Sequence, residues 1–188
     1  MAATPKFAHV VLQTSRLEDM RDWYCTVLEA HVVYEGHNLC FITFDEEHHR
    51  IAFLGAPVGP RVPSAAGMHH TAYTFDTIDD LLERHASLKA RGIEPKVPIQ
   101  HGVTTSLYYQ DPEGNFVELQ IDNFATPDEA TAYMNGPEYD NNPVGVSFDP
   151  ELMREALNNG ADLREIATHS WALRVSPDLP DPMVALTS

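Results

Sequence analysis

The sequence predicts an α+β fold built from two paired β-α-β-β-β modules, and three observations carry that expectation. The first is an internal repeat. FAHVVLQTSRLEDMRDWYCTVLEA and MHHTAYTFDTIDDLLERHASLKARG follow one plan, and a constant offset of 61 takes His9 onto His70, Asp19 onto Asp80 and Met20 onto Leu81. The second is the change of period inside each copy, from strand-like alternation to the three/four spacing of a helix face. The third is bulk: 188 residues, 43% of them hydrophobic, suffice for one ordinary domain with a core and an appended segment.

In the first copy, Phe7 to Gln13 reads as a strand and Ser15 sits in a turn. Leu17, Met20, Trp23, Tyr24, Val27 and Leu28 then share one helix face. Strand candidates follow at His31 to Tyr34, Leu39 to Phe44 and Arg50 to Leu54. GAPVGPRVPSAAG, Gly55 to Gly67, is a linker by its Pro, Gly and Ser density. The second copy repeats the order. A strand runs through Phe75, a helix carries Ile78, Leu81, Leu82, Ala86 and Leu88 on one side, and Gly92 stops it. Its strands are Pro95 to Ile99, Thr104 to Gln110 and Asn115 to Ile121.

Four strands per copy cannot hide their apolar faces alone, so pairing into a half-open, barrel-like sheet around a site is the economical solution. Residues 1–123 are then one paired-module domain, with modules at about 5–55 and 67–122. Residues 124–188 form a C-terminal helical and irregular extension packed on it. TPDEATAYM and DPELMREALNNG read as short helices opened by Thr or Asp before Pro, whereas GPEYDNNPVG and SPDLPDPMV read as irregular.

With 28 acidic and 12 basic side chains, the formal charge of −16 repels phosphate backbones and argues against a nucleic-acid partner. No apolar run approaches the roughly 20 residues that span a bilayer. MAATPKFAH lacks a basic-then-apolar leader pattern, so the expectation is a cytoplasmic protein without a membrane partner. Cys25 and Cys40 have no CxxC spacing and read as reduced thiols.

Ten histidines make convergence the useful question. A lone histidine is more often structural than a ligand, but His9 and His70 occupy the same point of the repeat and could face one cavity. In NFVELQI, alternation puts Phe116, Glu118 and Gln120 on one face, so Glu118 is the third candidate; its bland reading is an ordinary exposed glutamate. The offset selects His70 from the His69–His70 pair and sends His69 to the opposite side. His31, His37, His85 and His169 have no matched partner.

The repeated modules, the histidines of FAHVVL and MHHTAY and the run YYQDPEGNFVEL resemble the vicinal oxygen chelate superfamily over residues 5–122. That superfamily holds extradiol dioxygenases, glyoxalases, epimerases, thiol transferases and metal-free antibiotic-binding proteins. Carried across the turn, the repeat matches Asp45 to Asp111 and Ala52 to Glu118. Glyoxalase-like sites place a carboxylate from each module on the metal; here the first module offers alanine. The resemblance therefore implies the set His9, His70 and Glu118, which leaves positions open on Fe(II) for a diol and dioxygen, with Mn(II) as the alternative metal.

HRIAF, His49 to Phe53, resembles the motif that carries the acid–base histidine of extradiol dioxygenases. By the same resemblance Tyr108, ten positions before Glu118, hydrogen-bonds the bound catecholate, with Tyr109 as the alternative, and His101 is a substrate contact at slightly different spacing. Phe53 and Tyr73 are expected to line the site. Many such enzymes carry two paired-module domains; this chain resembles the smaller one-domain type I members, and self-association into a homo-oligomer is expected. The implied activity is ring cleavage of a small aromatic diol. The alternatives are a glyoxalase- or epimerase-like lyase or isomerase, and a metal-free, antibiotic-sequestering binder.

Overall fold

The computed structural model describes residues 3–62 and 65–187. The chain divides into two compact units, Met1–Val62 with Asp111–Asn115, and Pro63–Gln110 with Phe116–Ser188.

The first unit contains β1 (Val10–Thr14), α1 (Leu17–Leu28), β2 (His31–Gly36), β3 (Leu39–Thr43) and β4 (Ile51–Gly55). Its open sheet has the order β1-β4-β3-β2, with β1 parallel to β4 and the remaining pairs antiparallel. Helix α1 lies against β3 and β4. Met20, Tyr24 and Val27 on its apolar face are buried, as are Cys40, Ile42, Ile51 and Phe53. Each fully buried large side chain stabilises the fold by roughly 1.5–3 kcal/mol, which is what holds so short a helix in place. Burial also pushes the Cys40 thiol up to about 11, in keeping with a packing role.

The first strand starts at Val10 rather than at the expected Phe7. A strand needs a partner, and β4 begins only at Ile51. The Arg50 guanidinium takes the carbonyls of Phe7 and Ala8 instead, at 2.7 and 3.1 Å, so these residues spend their hydrogen bonds on a side chain.

The second unit repeats the plan with β5 (His70–Thr74), α2 (Ile78–Lys89), β6 (Val97–Gln100), β7 (Thr104–Gln110) and β8 (Phe116–Asp122). Thr77 caps α2 by accepting from the Asp80 backbone N–H at 3.1 Å. Ile78, Leu81, Leu82 and Leu88 are buried, and α2 packs on β8. The α+β class and both β-α-β-β-β modules are thus as the sequence predicts, each with an open sheet.

The segment after Asp122 belongs to the second unit. It holds α3 (Pro127–Met134), α4 (Pro137–Asn141), β9 (Val146–Ser147), α5 (Pro150–Asn158), α6 (Leu163–Ile166), α7 (His169–Val175) and α8 (Pro182–Leu186). Strand β9 pairs with β6 and extends that sheet to the order β5-β8-β7-β6-β9. Thr126 and Asp149 cap α3 and α5, the two helices expected here. The stretches read as irregular contain α4 and α8. Both are single turns of five residues with Pro in the first turn, too short to leave a periodic signal.

Candidate metal centre

Strand register supplies the frame. In the first unit Val11 pairs with Ala52 and Phe41 lies across from Ala52; in the second, Ala72 pairs with Glu118 and Tyr108 lies across from Glu118. Ala52 and Glu118 therefore hold equivalent positions, and so do Phe41 and Tyr108.

Within the second unit, His70, His101, Tyr108 and Glu118 converge. Glu118 is 4% exposed, and its Oε2 stands 3.1 Å from Nε2 of His70. Burial alone would raise its pKa, but hydrogen bonds from His70, Ser106 and Tyr108 outweigh that and hold it below the usual glutamate value. A carboxylate that stays ionised in a buried setting is what a cation site requires.

Tyr108 places its hydroxyl 3.1 Å from Nε2 of His101, whose Nδ1 lies 2.6 Å from the Val144 carbonyl. A carbonyl only accepts, so His101 is protonated at Nδ1. Burial lowers the pKa of His101 despite the nearby Glu118. Burial and the Glu118 charge raise that of Tyr108, which remains a neutral phenol. Gly145 makes the Val144 contact available: its φ is +92°, and a Cβ there would collide with the Gln100 carbonyl. Tyr109, the alternative to Tyr108, faces the other side of β7, and its hydroxyl is buried without a partner among the described residues.

In the first unit, His9 lies one residue before β1 and its ring centroid is 4.3 Å from that of His49. His49 also stacks on Phe41, at 4.8 Å and 18° between planes. Burial, then His9 and His48, lower its pKa, so it is neutral near pH 7 and able to accept a proton.

His9 and His49 thus belong to the first unit, and the other four candidates to the second. Among the described residues no three His, Cys, Asp or Glu side chains form a metal-holding group. The His70–Glu118 pair nonetheless fits one. Two donors bound at right angles, each about 2.1 Å from one ion, lie about 3.0 Å apart, close to the observed spacing.

Three expectations need correction. Phe53 is a core residue 5.3 Å from the Tyr24 ring, on the opposite face of β4 from Ala52. Tyr73 pairs with Leu119, so alternation directs it away from the Glu118 face. His69 was expected on the opposite side, but β5 starts at His70 and strand alternation does not govern the residue before it. The His69 ring stacks on Phe116, 5.4 Å away, and its Nδ1 is 2.8 Å from Nδ1 of His70.

Sequence reasoning also passed over the anchoring of the turn between β7 and β8, which falls in the first unit. Asp111 is buried and accepts from the Glu113 and Asn115 backbone N–H groups, the Asn115 amide and the Tyr24 hydroxyl. Glu113 accepts from Thr14 at 2.5 Å, and the Pro112 carbonyl from Arg16 at 2.7 Å. The Asp-Pro-x-Gly spacing signals the turn but not what it rests on.

The glyoxalase/bleomycin resistance protein/dioxygenase superfamily profile matches residues 6–119. The chain is 78% identical to biphenyl-2,3-diol 1,2-dioxygenase 2 of Rhodococcus globerulus over 190 residues, covering 100% of both. It is 54% identical to biphenyl-2,3-diol 1,2-dioxygenase 3 of the same organism over 177 residues, covering 93% of each. Among solved structures, lactoylglutathione lyase from Agrobacterium tumefaciens is similar in fold, with a TM-score of 0.52 at 17% identity, over 64% of this chain and 96% of that one. The fosfomycin resistance protein FosX from Listeria monocytogenes gives 0.52 at 19% identity, over 68% and 99%.

Proposed function

We infer that this chain, which belongs to the glyoxalase/bleomycin resistance protein/dioxygenase superfamily, is an extradiol dioxygenase that opens the ring of a catechol-type diol with dioxygen. The observation that carries the reading is the 78% identity, end to end, with a biphenyl-2,3-diol 1,2-dioxygenase. A metal cofactor follows from that class. We assign it as Fe(II), with Mn(II) the alternative, held by His9, His70 and Glu118, and take biphenyl-2,3-diol as the substrate to test first. A cytoplasmic setting suits the two unpaired thiols, Cys25 and Cys40. No helix among the described residues is long and apolar enough to cross a membrane.

The ligand set is supported by the asymmetry at one register position. Glu118 offers a buried, ionised carboxylate, and Ala52 offers a methyl group at the equivalent place. Iron held by these two imidazoles and one carboxylate would supply Lewis acidity toward the diol and the redox chemistry of dioxygen. The residues around it handle protons. His49, neutral because burial and two histidines disfavour its cation, accepts the proton of a diol hydroxyl and later returns one. Tyr108, kept un-ionised beside Glu118, has one hydroxyl proton, which His101 Nε2 accepts in the free chain and which turns to the diol oxygen where negative charge gathers once the diol binds. His101, fixed by the Val144 carbonyl, holds the Tyr108 hydroxyl in place. The lyase-like reading needs a further protein ligand or base from the first module, and Ala52 provides none.

Anaerobic loading with Fe(II), followed by oxygen uptake with biphenyl-2,3-diol and monocyclic catechols, tests this reading. One dioxygen consumed per diol with a yellow ring-opened product is expected. Diol left intact with no oxygen consumed refutes it.

A further inference from the structure

We propose that His69 and the backbone carbonyl of Leu186 set the tautomer and orientation of His70, making the C-terminal helix α8 a positioning element of the metal centre. The inference rests on the reading of His70 as a ligand and adds to it the device that prepares the ligand atom.

Three contacts form a line. His69 Nε2 lies 3.2 Å from the Leu186 carbonyl oxygen, His69 Nδ1 lies 2.8 Å from His70 Nδ1, and His70 Nε2 lies 3.1 Å from Glu118 Oε2. A carbonyl oxygen has no proton to give, so His69 must donate from Nε2. A neutral imidazole carries one proton, which leaves His69 Nδ1 as an acceptor. The only partner that can fill it in this line is the Nδ1–H of His70. With Nδ1 committed to His69, His70 turns Nε2 to the Glu118 carboxylate, and an ion that replaces the proton Nε2 donates there meets the Nε2 lone pair. A ligating histidine whose second nitrogen donates to a fixed acceptor is held in one ring orientation and is a more basic ligand.

The acceptor end of the line is fixed by packing. Ala185 and Leu186 rest on the buried cluster Val97, Ile99, Tyr108 and Phe116, and the His69 ring stacks on Phe116 at 17° between planes. Asp181 caps α8 by accepting from the Met183 N–H at 2.8 Å, and the preceding Pro180 carbonyl accepts from Ser147 on β9 at 2.6 Å. Carbonyls in the last turn of a helix have no intrahelical partner, and His69 takes one of them. The segment after Asp122 thereby reaches the metal centre through hydrogen bonds without contributing a ligand.

The test combines tautomer and affinity. Long-range 15N–1H correlation spectra of the metal-free protein should show His69 protonated at Nε2 alone and His70 protonated at Nδ1. A His69 proton on Nδ1 alone overturns the proposal whatever the metal data show. His69→Phe keeps the ring stack and removes both hydrogen bonds, so Fe(II) affinity measured by chelator competition should fall about 10- to 100-fold. His69→Asn, whose carbonyl oxygen takes the place of Nδ1, should recover a substantial part of that loss. The thermal midpoints of the metal-free variants should match wild type. Wild-type protein that binds Fe(II) beside a His69→Phe variant that binds it equally well overturns the inference and leaves the dioxygenase reading standing. Wild-type protein that binds no divalent metal overturns both.

Discussion

The two modules start from one plan and differ most where it matters for chemistry. At one register position the first carries Ala52 and the second Glu118. At the neighbouring position the first carries Phe41, stacked on His49, and the second Tyr108, bonded to His101. Each unit has a His–His pair joined through its Nδ1 atoms, His48–His49 at 2.6 Å and His69–His70 at 2.8 Å. The first pair precedes the last strand of its module and leans on half-buried Glu47, 3.5 Å from His48. The second straddles the start of its module's first strand and leans on a backbone carbonyl. Even the matched turn aspartates diverge. Asp45 is exposed and partnered by Arg50, while Asp111 is buried under four donors. The comparison teaches that the repeat fixes where side chains stand, while single substitutions at those places decide which module supplies the carboxylate and which leaves room.

The comparison can be broken most forcefully at Glu118. Glu118→Ala gives the second module the pattern of the first, and bound metal should be lost with a fall in oxygen uptake on the order of 10³-fold or more. Metal analysis decides it, and retained iron would show that the carboxylate is not a ligand. His49→Gln removes the proton acceptor proposed for the first module. Iron content should stay normal while turnover falls about 10²- to 10⁴-fold. Ala52→Glu is the reverse experiment. A carboxylate added to the first module should occupy an open coordination position, so iron is retained while oxygen uptake falls roughly 10-fold or more.

The turn aspartates give the smallest effects and a difference of sign. Asp111→Ala leaves buried donors unsatisfied and should cost about 2–4 kcal/mol in denaturant unfolding, whereas exposed Asp45→Ala should cost under about 1 kcal/mol. Burial raises the pKa of Asp111, so the folded chain binds that proton more readily than the unfolded one. Its titration adds stability as pH falls from neutral toward about 4. Asp45 is lowered, first by the Glu47 N–H and also by Arg50, so its contribution is present above about 4 and is lost as pH falls through the folded value. Relative to wild type, the deficit of Asp111→Asn should widen with acidification and that of Asp45→Asn should shrink.

Much of this was legible in the sequence. The offset between His9 and His70, and the match of Ala52 to Glu118, are facts of spacing that the strand register reproduces. What escaped depends on contacts that periodicity does not encode. Arg50 delays the first strand by binding two carbonyls far away in sequence. His69 escapes alternation because it stands just outside its strand. Phe53 and Tyr73 have aromatic character but the wrong parity for the Glu118 face. The link from Leu186 to His69 spans a sequence separation of 117 and runs through a backbone oxygen, which carries no residue signature.

An anomalous-scattering map of anaerobic, Fe(II)-loaded crystals tests the central claim most directly. The account predicts one iron peak bonded to His9, His70 and Glu118, at about 2.0–2.2 Å from each donor atom, with no fourth protein ligand. A peak that lacks any of the three, or one completed by another side chain of the first module, would contradict it.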